Sequence, residues 1–149
     1  MTRNPADASR DDRSVPPPVG HVLEAALYVE DLSRSRAFYE GVLGMGVLVD
    51  SDRLVAVDAG GATVLLLFLR GACGPEADLD LPPHDGAGRT HVALAVSAAD
   101  LEAWRAHLEA ARVPVEHEKT WSRGGRSLYF RDPDGHLVEL ASPGVWPTY

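Results

Sequence analysis

The chain has 149 residues, a length that suits one compact domain or two small fused modules. Hydrophobic residues make up 45% and charged residues 24%, a balance typical of globular proteins that argues against wholesale disorder. The net charge of −8 argues against a nucleic-acid partner, because such a partner calls for a basic surface. The longest apolar run, Val64–Leu69, is far shorter than the roughly 20 residues that cross a bilayer.

The amino-terminal segment and the cysteine content narrow the class further. Residues 1–20 carry three consecutive prolines and little that could be buried, so we expect a disordered tail there. This segment lacks the apolar stretch of a secretory signal, and we therefore expect the protein in the cytoplasm. Cys73 is the only cysteine, which excludes an intramolecular disulfide and a cysteine-rich zinc site.

Residues 21–70 predict a first module of the order β-α-β-β-β. A strand is expected at 22–29, after which Asp31 offers an N-cap for a helix that ends near Gly44. Gly60 and Gly61 predict a hairpin turn between the last two strands. The three strands expected after the helix cover residues 46–51, 53–59 and 62–69.

A linker and a second module follow. Residues 71–89 are rich in Gly, Pro and acidic side chains, and His84 in this linker could swing over a cleft as lids do. Residues 90–143 then repeat the order of the first module, with Ser97 or Asp100 as the cap of the helix. The predicted strands cover 90–97, 113–120, 126–132 and 136–142, and residues 144–149 form a short tail.

The two modules form an internal repeat. Residues 24–29 align with 91–96, and residues 58–61 align with 132–135. The predicted fold class is therefore α+β, with two tandem βαβββ modules that form a curved mixed sheet around a cleft.

Three polar side chains interrupt apolar strand faces. Glu24 and His91 are equivalent under the repeat, so a pseudo-twofold axis would place them opposite each other across the cleft. Glu139 lies in a similarly apolar last strand. Taken singly, each has a simpler interpretation as a structural histidine or a solvated glutamate. Together, two carboxylates and one imidazole in a cleft would repel one another unless a cation balanced them, and a divalent metal ion does so.

Three stretches resemble the vicinal oxygen chelate superfamily, which includes glyoxalase I, extradiol dioxygenases, fosfomycin-resistance enzymes and bleomycin-binding proteins. The stretches are residues 27–47, 90–108 and 126–143, and with the strands between them the resemblance covers residues 21–143. The first carries a V-x-D-L pattern followed by F-Y and L-G, and the third carries D-P-D-G-H-x-x-E. The resemblance implies that paired βαβββ modules bind one divalent ion in their cleft.

Carried over to this sequence, the resemblance implies the metal ligands Glu24, His91 and Glu139. The fourth ligand position falls on Leu65, which cannot ligate, so the implied site keeps open positions for substrate or water. Glu24 stands where relatives often have His, which counts against a dioxygenase because two histidines and one carboxylate hold the iron in such enzymes. The ion could be Zn, Ni, Mn, Co or Fe.

The function implied is a metal-dependent enzyme of the isomerase, lyase or epimerase type that acts on a small oxygen-chelating substrate. Glu24 or Glu139 would move the proton, and Tyr28 and Tyr129 are candidate substrate-binding residues. Tyr129 falls on a substrate-contacting position of the fosfomycin-resistance enzymes, which makes a fosfomycin-modifying transferase one further alternative. The main alternative is a metal-free protein that binds an antibiotic or another small molecule, as bleomycin-resistance proteins do. The resemblance also implies a homodimer.

Overall fold

A computed structural model describes residues 16–78 and 80–149. Most of the predicted tail, residues 1–15, lies outside the described residues, and residues 16–20 are exposed coil. The elements in chain order are β1 (Glu24–Val29), α1 (Leu32–Arg36), a π-helical segment (Ala37–Val42), β2 (Val47–Asp50), β3 (Leu54–Asp58), β4 (Val64–Leu69), β5 (His91–Ala95), a 3-10 turn (Ala98–Asp100), α2 (Leu101–Ala110), β6 (His117–Thr120), β7 (Arg126–Arg131) and β8 (Leu137–Ala141).

Each module forms its own four-stranded mixed sheet, which confirms the predicted α+β fold of two βαβββ units. The first sheet has the order β1-β4-β3-β2, and the second has the matching order β5-β8-β7-β6. The first strand of each module runs parallel to the last strand of that module, and the other neighbours are antiparallel. Among the described residues, no helix is long and apolar enough to span a bilayer.

Local side-chain chemistry sets where the helices begin. The Asp31 carboxylate accepts a hydrogen bond from the backbone N–H of Arg34 at 3.0 Å, so the predicted N-cap is confirmed. Of the two caps considered for the second helix, Ser97 caps the 3-10 turn that leads into α2, since its hydroxyl accepts from the Ala99 N–H. Asp100 makes no side-chain cap.

The core lies where the helices pack on the sheets. Its fully or nearly fully buried apolar side chains are Leu27, Val29, Phe38, Tyr39, Leu43, Val55, Val57, Leu65, Leu67, Leu108, Phe130, Val138 and Leu140. They come from both modules, so one continuous apolar cluster joins the two halves of the chain.

The D-P-D-G turn of the second module is fastened to the end of β1 and the start of α1. Asp134, with a side chain only 1% exposed, accepts hydrogen bonds from the Glu30 N–H at 2.8 Å and the Ser35 hydroxyl at 3.1 Å. The His136 ring is buried, and its Nε2 donates to the Tyr28 carbonyl at 3.0 Å. These bonds fix how the two modules meet, which positions the site residues on β1 and β8.

Candidate functional site

His91, Tyr129 and Glu139 meet on one face of the second sheet. The strand register pairs Tyr129 with Glu139 and places His91 on the neighbouring strand β5. His91 Nε2 lies 3.2 Å from Glu139 Oε2, and the Tyr129 hydroxyl donates to Glu139 Oε1 at 3.0 Å. The Glu139 side chain is buried, while about half of the His91 side chain is exposed. The arrangement is a buried carboxylate held beneath an accessible imidazole.

The hydrogen bond on the far side of the His91 ring determines what its other nitrogen can do. His91 Nδ1 lies 3.0 Å from the Leu137 carbonyl, which can only accept, so Nδ1 carries the proton. In the neutral ring Nε2 then presents a lone pair toward Glu139 Oε2. Two lone-pair atoms at this distance need a proton or a cation between them. The separation also suits two ligands of one tetrahedral ion, which stand about 3.3 Å apart when each bond is about 2.0 Å.

Tyr129 orients the carboxylate. Burial, followed by the hydrogen bond to Glu139, raises the pKa of the Tyr129 hydroxyl, so this group stays protonated and remains a donor. Because the hydroxyl occupies Oε1, the second oxygen of Glu139 is left for His91 or for an ion.

A groove of about 390 Å³ adjoins Tyr129 on the same sheet. It is lined by Glu116, His117, Lys119, Tyr129, Arg131 and Leu137. Arg131 is paired with Glu116 at 3.1 Å, and the Lys119 ammonium lies 3.9 Å from the centre of the Trp121 ring. Sequence reasoning missed His117, Lys119 and Arg131 as site residues. The alternation of side chains along β6 puts His117 and Lys119 on one face, but the pairing of His117 with Tyr129 is what brings that face to the site.

Glu24 lies on the other sheet. It is exposed and lines a cavity of about 250 Å³ together with Ala25, Ala26, Leu66, Phe68 and His84. Within residues 16–78 and 80–149, no group of three His, Cys, Asp or Glu side chains is close enough to hold a metal ion. One chain therefore brings His91 and Glu139 together and does not gather all three of the ligands that the sequence predicts.

The repeat equivalence of the last strands needs a correction of one residue. The sequence alignment assigned Leu65 as the counterpart of Glu139, but the Leu65 side chain is 2% exposed and points into the core. The strand register pairs Ala26 with Leu66 and the equivalent Ala93 with Glu139, so Leu66 is the counterpart. Leu66 cannot ligate a metal ion either, so the fourth ligand position is still empty of donors.

Tyr28 points into the same region as Glu24, as the alternation along β1 predicts. Its hydroxyl oxygen lies 2.7 Å from His84 Nδ1, and its ring stacks on Phe68 with centroids 5.9 Å apart. The second candidate tyrosine, Tyr129, lies at the carboxylate of Glu139 on the other sheet.

Residues 19–140 of this sequence match the family model of the "Glyoxalase/Bleomycin resistance protein/Dioxygenase superfamily". The match spans most of the chain, and the chain belongs to this superfamily, as its sequence motifs indicate.

Three relatives show what the chain is similar to. It is 33% identical to the metallothiol transferase FosB of Bacillus licheniformis over 86% of this chain and 77% of that protein. It is 32% identical to the glutathione transferase FosA of Serratia marcescens over 76% of this chain and 74% of that protein. The crystal structure of lactoylglutathione lyase from Agrobacterium tumefaciens superposes with a TM-score of 0.82, at 32% identity over 88% of this chain and 99% of that one.

Proposed function

We propose that the protein is a homodimeric, divalent-metal-dependent enzyme of the isomerase or lyase type that acts on a small oxygen-chelating substrate. The observation that carries the proposal is the pair of His91 and Glu139. The lone pair of His91 Nε2 is set by the Leu137 carbonyl, and it meets a buried carboxylate oxygen that Tyr129 orients. This outer shell of hydrogen bonds is typical of metal-ligating histidines and carboxylates.

Two ligands from one chain fall short of the three that a catalytic ion needs, so the proposal includes a second copy of the chain. His91 and Glu139 of one copy and Glu24 of the other would hold the ion. The accessibility of His91 and of Glu24, on two different sheets, supports this division, because each side chain is open to an approaching surface. When bound, a divalent ion polarises substrate oxygens and stabilises the negative charge that develops on them.

The chain's own residues would supply proton transfer and orientation. Glu24 is exposed, whereas Glu139 is held by both Tyr129 and His91, so of the two ligand carboxylates Glu24 is the one that could detach to take up and return a proton. The Tyr129 hydroxyl, kept protonated by its raised pKa, maintains the orientation of Glu139 throughout. Tyr28 contacts His84, which lines the Glu24 cavity, and this contact supports a place for Tyr28 on the substrate side of the site.

A group-transfer reaction is the second candidate, and the groove beside Tyr129 favours it. Lys119 and Arg131 bring cationic side chains to this groove, which suits an anionic substrate or cosubstrate. The names of the transferase relatives also support this candidate. A metal-free binding protein is the remaining alternative, in which a proton on His91 Nε2 takes the place of the ion between His91 and Glu139.

Metal stoichiometry separates the enzyme from the metal-free binder. Untagged wild-type protein is reconstituted with Zn²⁺, Mn²⁺ or Ni²⁺, passed through a desalting column and subjected to elemental analysis. We expect about one ion per chain in the wild type and loss of the ion in His91→Ala and Glu139→Ala. His107→Ala is the matched control, since this exposed histidine of α2 bonds the Val42 carbonyl away from the site. A wild type that retains none of these ions would contradict the proposal.

Mixing two inactive variants tests whether the site is shared between copies. In a homodimer of Glu24→Ala or of Glu139→Ala, each of the two shared metal sites lacks one ligand. After unfolding and refolding together, half of the dimers are hybrids, and each hybrid has one intact site. We therefore expect about a quarter of the wild-type metal content to return, from random pairing. No recovery in the mixture would show that the ligands do not come from two copies.

A further inference from the structure

The connector between the modules is packed on the first sheet. The backbone N–H of His84 donates to the Cys73 carbonyl at 2.8 Å, and the Asp85 carboxylate accepts from the Gly71 N–H at 3.0 Å. Gly86 lies against the Tyr28 ring so closely that a Cβ atom there would stand 2.4 Å from Tyr28 Cδ2. The linker predicted from the sequence is thus held here by these two hydrogen bonds. The absence of a side chain at Gly86 allows it to pack closely on the Tyr28 ring.

This docking puts the His84 ring among aromatic side chains next to the Glu24 cavity. His84 Nδ1 lies 2.7 Å from the Tyr28 hydroxyl oxygen, and the ring meets Phe68 edge-on with centroids 4.7 Å apart. The histidine is half-buried and lines the cavity of about 250 Å³ that Glu24 also lines. A polar ring held by Tyr28 and Phe68 at the wall of a cavity is a preorganised contact for a ligand.

The hydrogen bond between Tyr28 and His84 fixes the ring tautomer when Tyr28 is the donor, and we assign Tyr28 that role. Burial, then the charge of Asp85, raises the pKa of the Tyr28 hydroxyl, which is therefore protonated. A phenol that donates to Nδ1 leaves the proton of the neutral imidazole on Nε2. Nε2–H is then on the side of the ring away from Tyr28, where it can serve a ligand as a hydrogen-bond donor.

We propose that His84 is a substrate-binding residue, which donates its Nε2–H to an oxygen atom of the substrate in the Glu24 cavity. Tyr28 is then a positioning residue, because it acts on the substrate through the tautomer of His84. The floor of the cavity is apolar, with Ala26, Leu66 and Phe68, so the contact of His84 gives orientation as well as affinity. This inference rests on the proposed function in one respect, namely that the Glu24 cavity is part of the substrate site.

Acetohydroxamate, a small molecule that chelates metal through two oxygens, is a suitable probe. Its dissociation constant for zinc-loaded protein is measured by isothermal titration calorimetry, and zinc per chain is measured on the same samples. We expect His84→Ala to bind the probe about tenfold more weakly, the loss of one hydrogen bond, with zinc content unchanged. His84→Gln keeps an N–H donor and should recover most of the affinity, and His107→Ala should match the wild type.

The outcomes separate this inference from the proposed function. Equal probe affinity in the wild type and His84→Ala overturns the inference, and so does loss of zinc from His84→Ala, which would make His84 a metal ligand. If the wild type holds no metal, the proposed function fails and the comparison is made on metal-free protein. Tighter binding by the wild type than by His84→Ala then sustains the inference, while equal or absent binding refutes it.

Nitrogen-15 NMR of the imidazole rings tests the part of Tyr28 without any ligand. In the wild type we expect His84 to be the Nε2–H tautomer, with Nδ1 as the unprotonated nitrogen. Tyr28→Phe removes the donor to Nδ1, so we expect the His84 signals to move toward a mixture of tautomers. A wild-type His84 with its proton on Nδ1, or spectra that are identical in Tyr28→Phe, would refute the positioning role.

Discussion

Tyr129→Phe should weaken metal binding without unfolding the protein. The substitution keeps the ring and removes only the hydroxyl that donates to Glu139 Oε1 at 3.0 Å. Hydrogen bonds to charged groups contribute about 1.5–3 kcal/mol, and Glu139 as a residue is only 5% exposed, so solvent offers little replacement. That energy corresponds to a loss of about 10- to 100-fold in metal affinity, the range seen when outer-shell partners of metal ligands are removed.

Competition with a chromophoric zinc chelator near neutral pH measures this change. The raised pKa of Tyr129 keeps the wild-type hydroxyl protonated under these conditions, so the comparison involves a single species. Tyr149→Phe is the matched control, because its hydroxyl donates to the Val96 and Ala141 carbonyls and does not contact Glu139. A Tyr129→Phe protein that binds zinc as tightly as the wild type would refute the argument that Tyr129 orients the carboxylate.

Two further predictions concern stability. Burial, then Asp132, raises the pKa of the Tyr39 hydroxyl far above its usual value of about 10, so above that pH the unfolded chain releases a proton that the folded protein keeps. Above about pH 10, the unfolding free energy of the wild type should fall by about 1.4 kcal/mol per pH unit from this group alone. Urea unfolding at several alkaline pH values should therefore show a smaller decrease of the unfolding free energy with pH in Tyr39→Phe. An equal decrease in the two proteins would contradict this. Asp134→Asn should lose about 1–3 kcal/mol of unfolding free energy, because this buried carboxylate accepts hydrogen bonds from the other module. Asp50→Asn, at an exposed partner of Arg36, should lose less than about 1 kcal/mol, and equal losses in the two variants would refute the distinction.

The fold was predictable because its signals are local and occur twice. Alternating apolar residues and glycine turns predict each strand to within a few residues of the observed bounds, and Asp31 predicts the start of the first helix. The match between residues 24–29 and 91–96 predicts that the modules share one topology, which the two matching strand orders confirm. The prediction of one curved sheet was coarser than the result, since each module forms its own sheet.

The helix after Asp31 has a geometry that local sequence signals do not predict. The sequence predicts one helix up to Gly44, but the structure changes from α to π geometry at Ala37. The π-helical segment buries Phe38 and Tyr39, and the Tyr39 hydroxyl reaches Asp132 in the second module. The two partners of this contact are 93 residues apart in the sequence, so local helix propensity cannot predict it.

Strand register was the second feature that the sequence did not determine, and the assignment of Leu65 shows the consequence. In a strand a shift of one residue moves a side chain to the opposite face, so an alignment anchored on a turn can assign the wrong face. The pairing of β4 with β1 identifies Leu66 as the cavity residue and leaves Leu65 in the core. His117 was missed for a related reason, since its place beside Tyr129 depends on the pairing of β6 with β7.

The sequence proposes the site as a set of residues, but it does not indicate how these residues would assemble. Repeat equivalence singles out Glu24 and His91, yet it cannot tell whether equivalent positions meet within one chain or between two copies. That choice depends on how the two sheets pack, which is set by the contacts of Asp134 and His136 across the modules. The strand face on which a side chain lies is a local property of the sequence. The surface that covers this face depends on tertiary and quaternary packing.

Charge balance then ties metal binding to assembly in the proposed dimer. In a single chain, a proton on His91 can compensate the Glu139 carboxylate, so the pair is stable without an ion. Bringing Glu24 of a second copy to the same place adds a second carboxylate, and one proton no longer balances the cluster. A divalent ion would restore the balance, so in the proposed dimer the ion would favour the association of two copies and association would raise the affinity for the ion. By thermodynamic reciprocity the two effects would be equal in free energy, and the proposed shared site would make metal binding and dimer formation one coupled equilibrium.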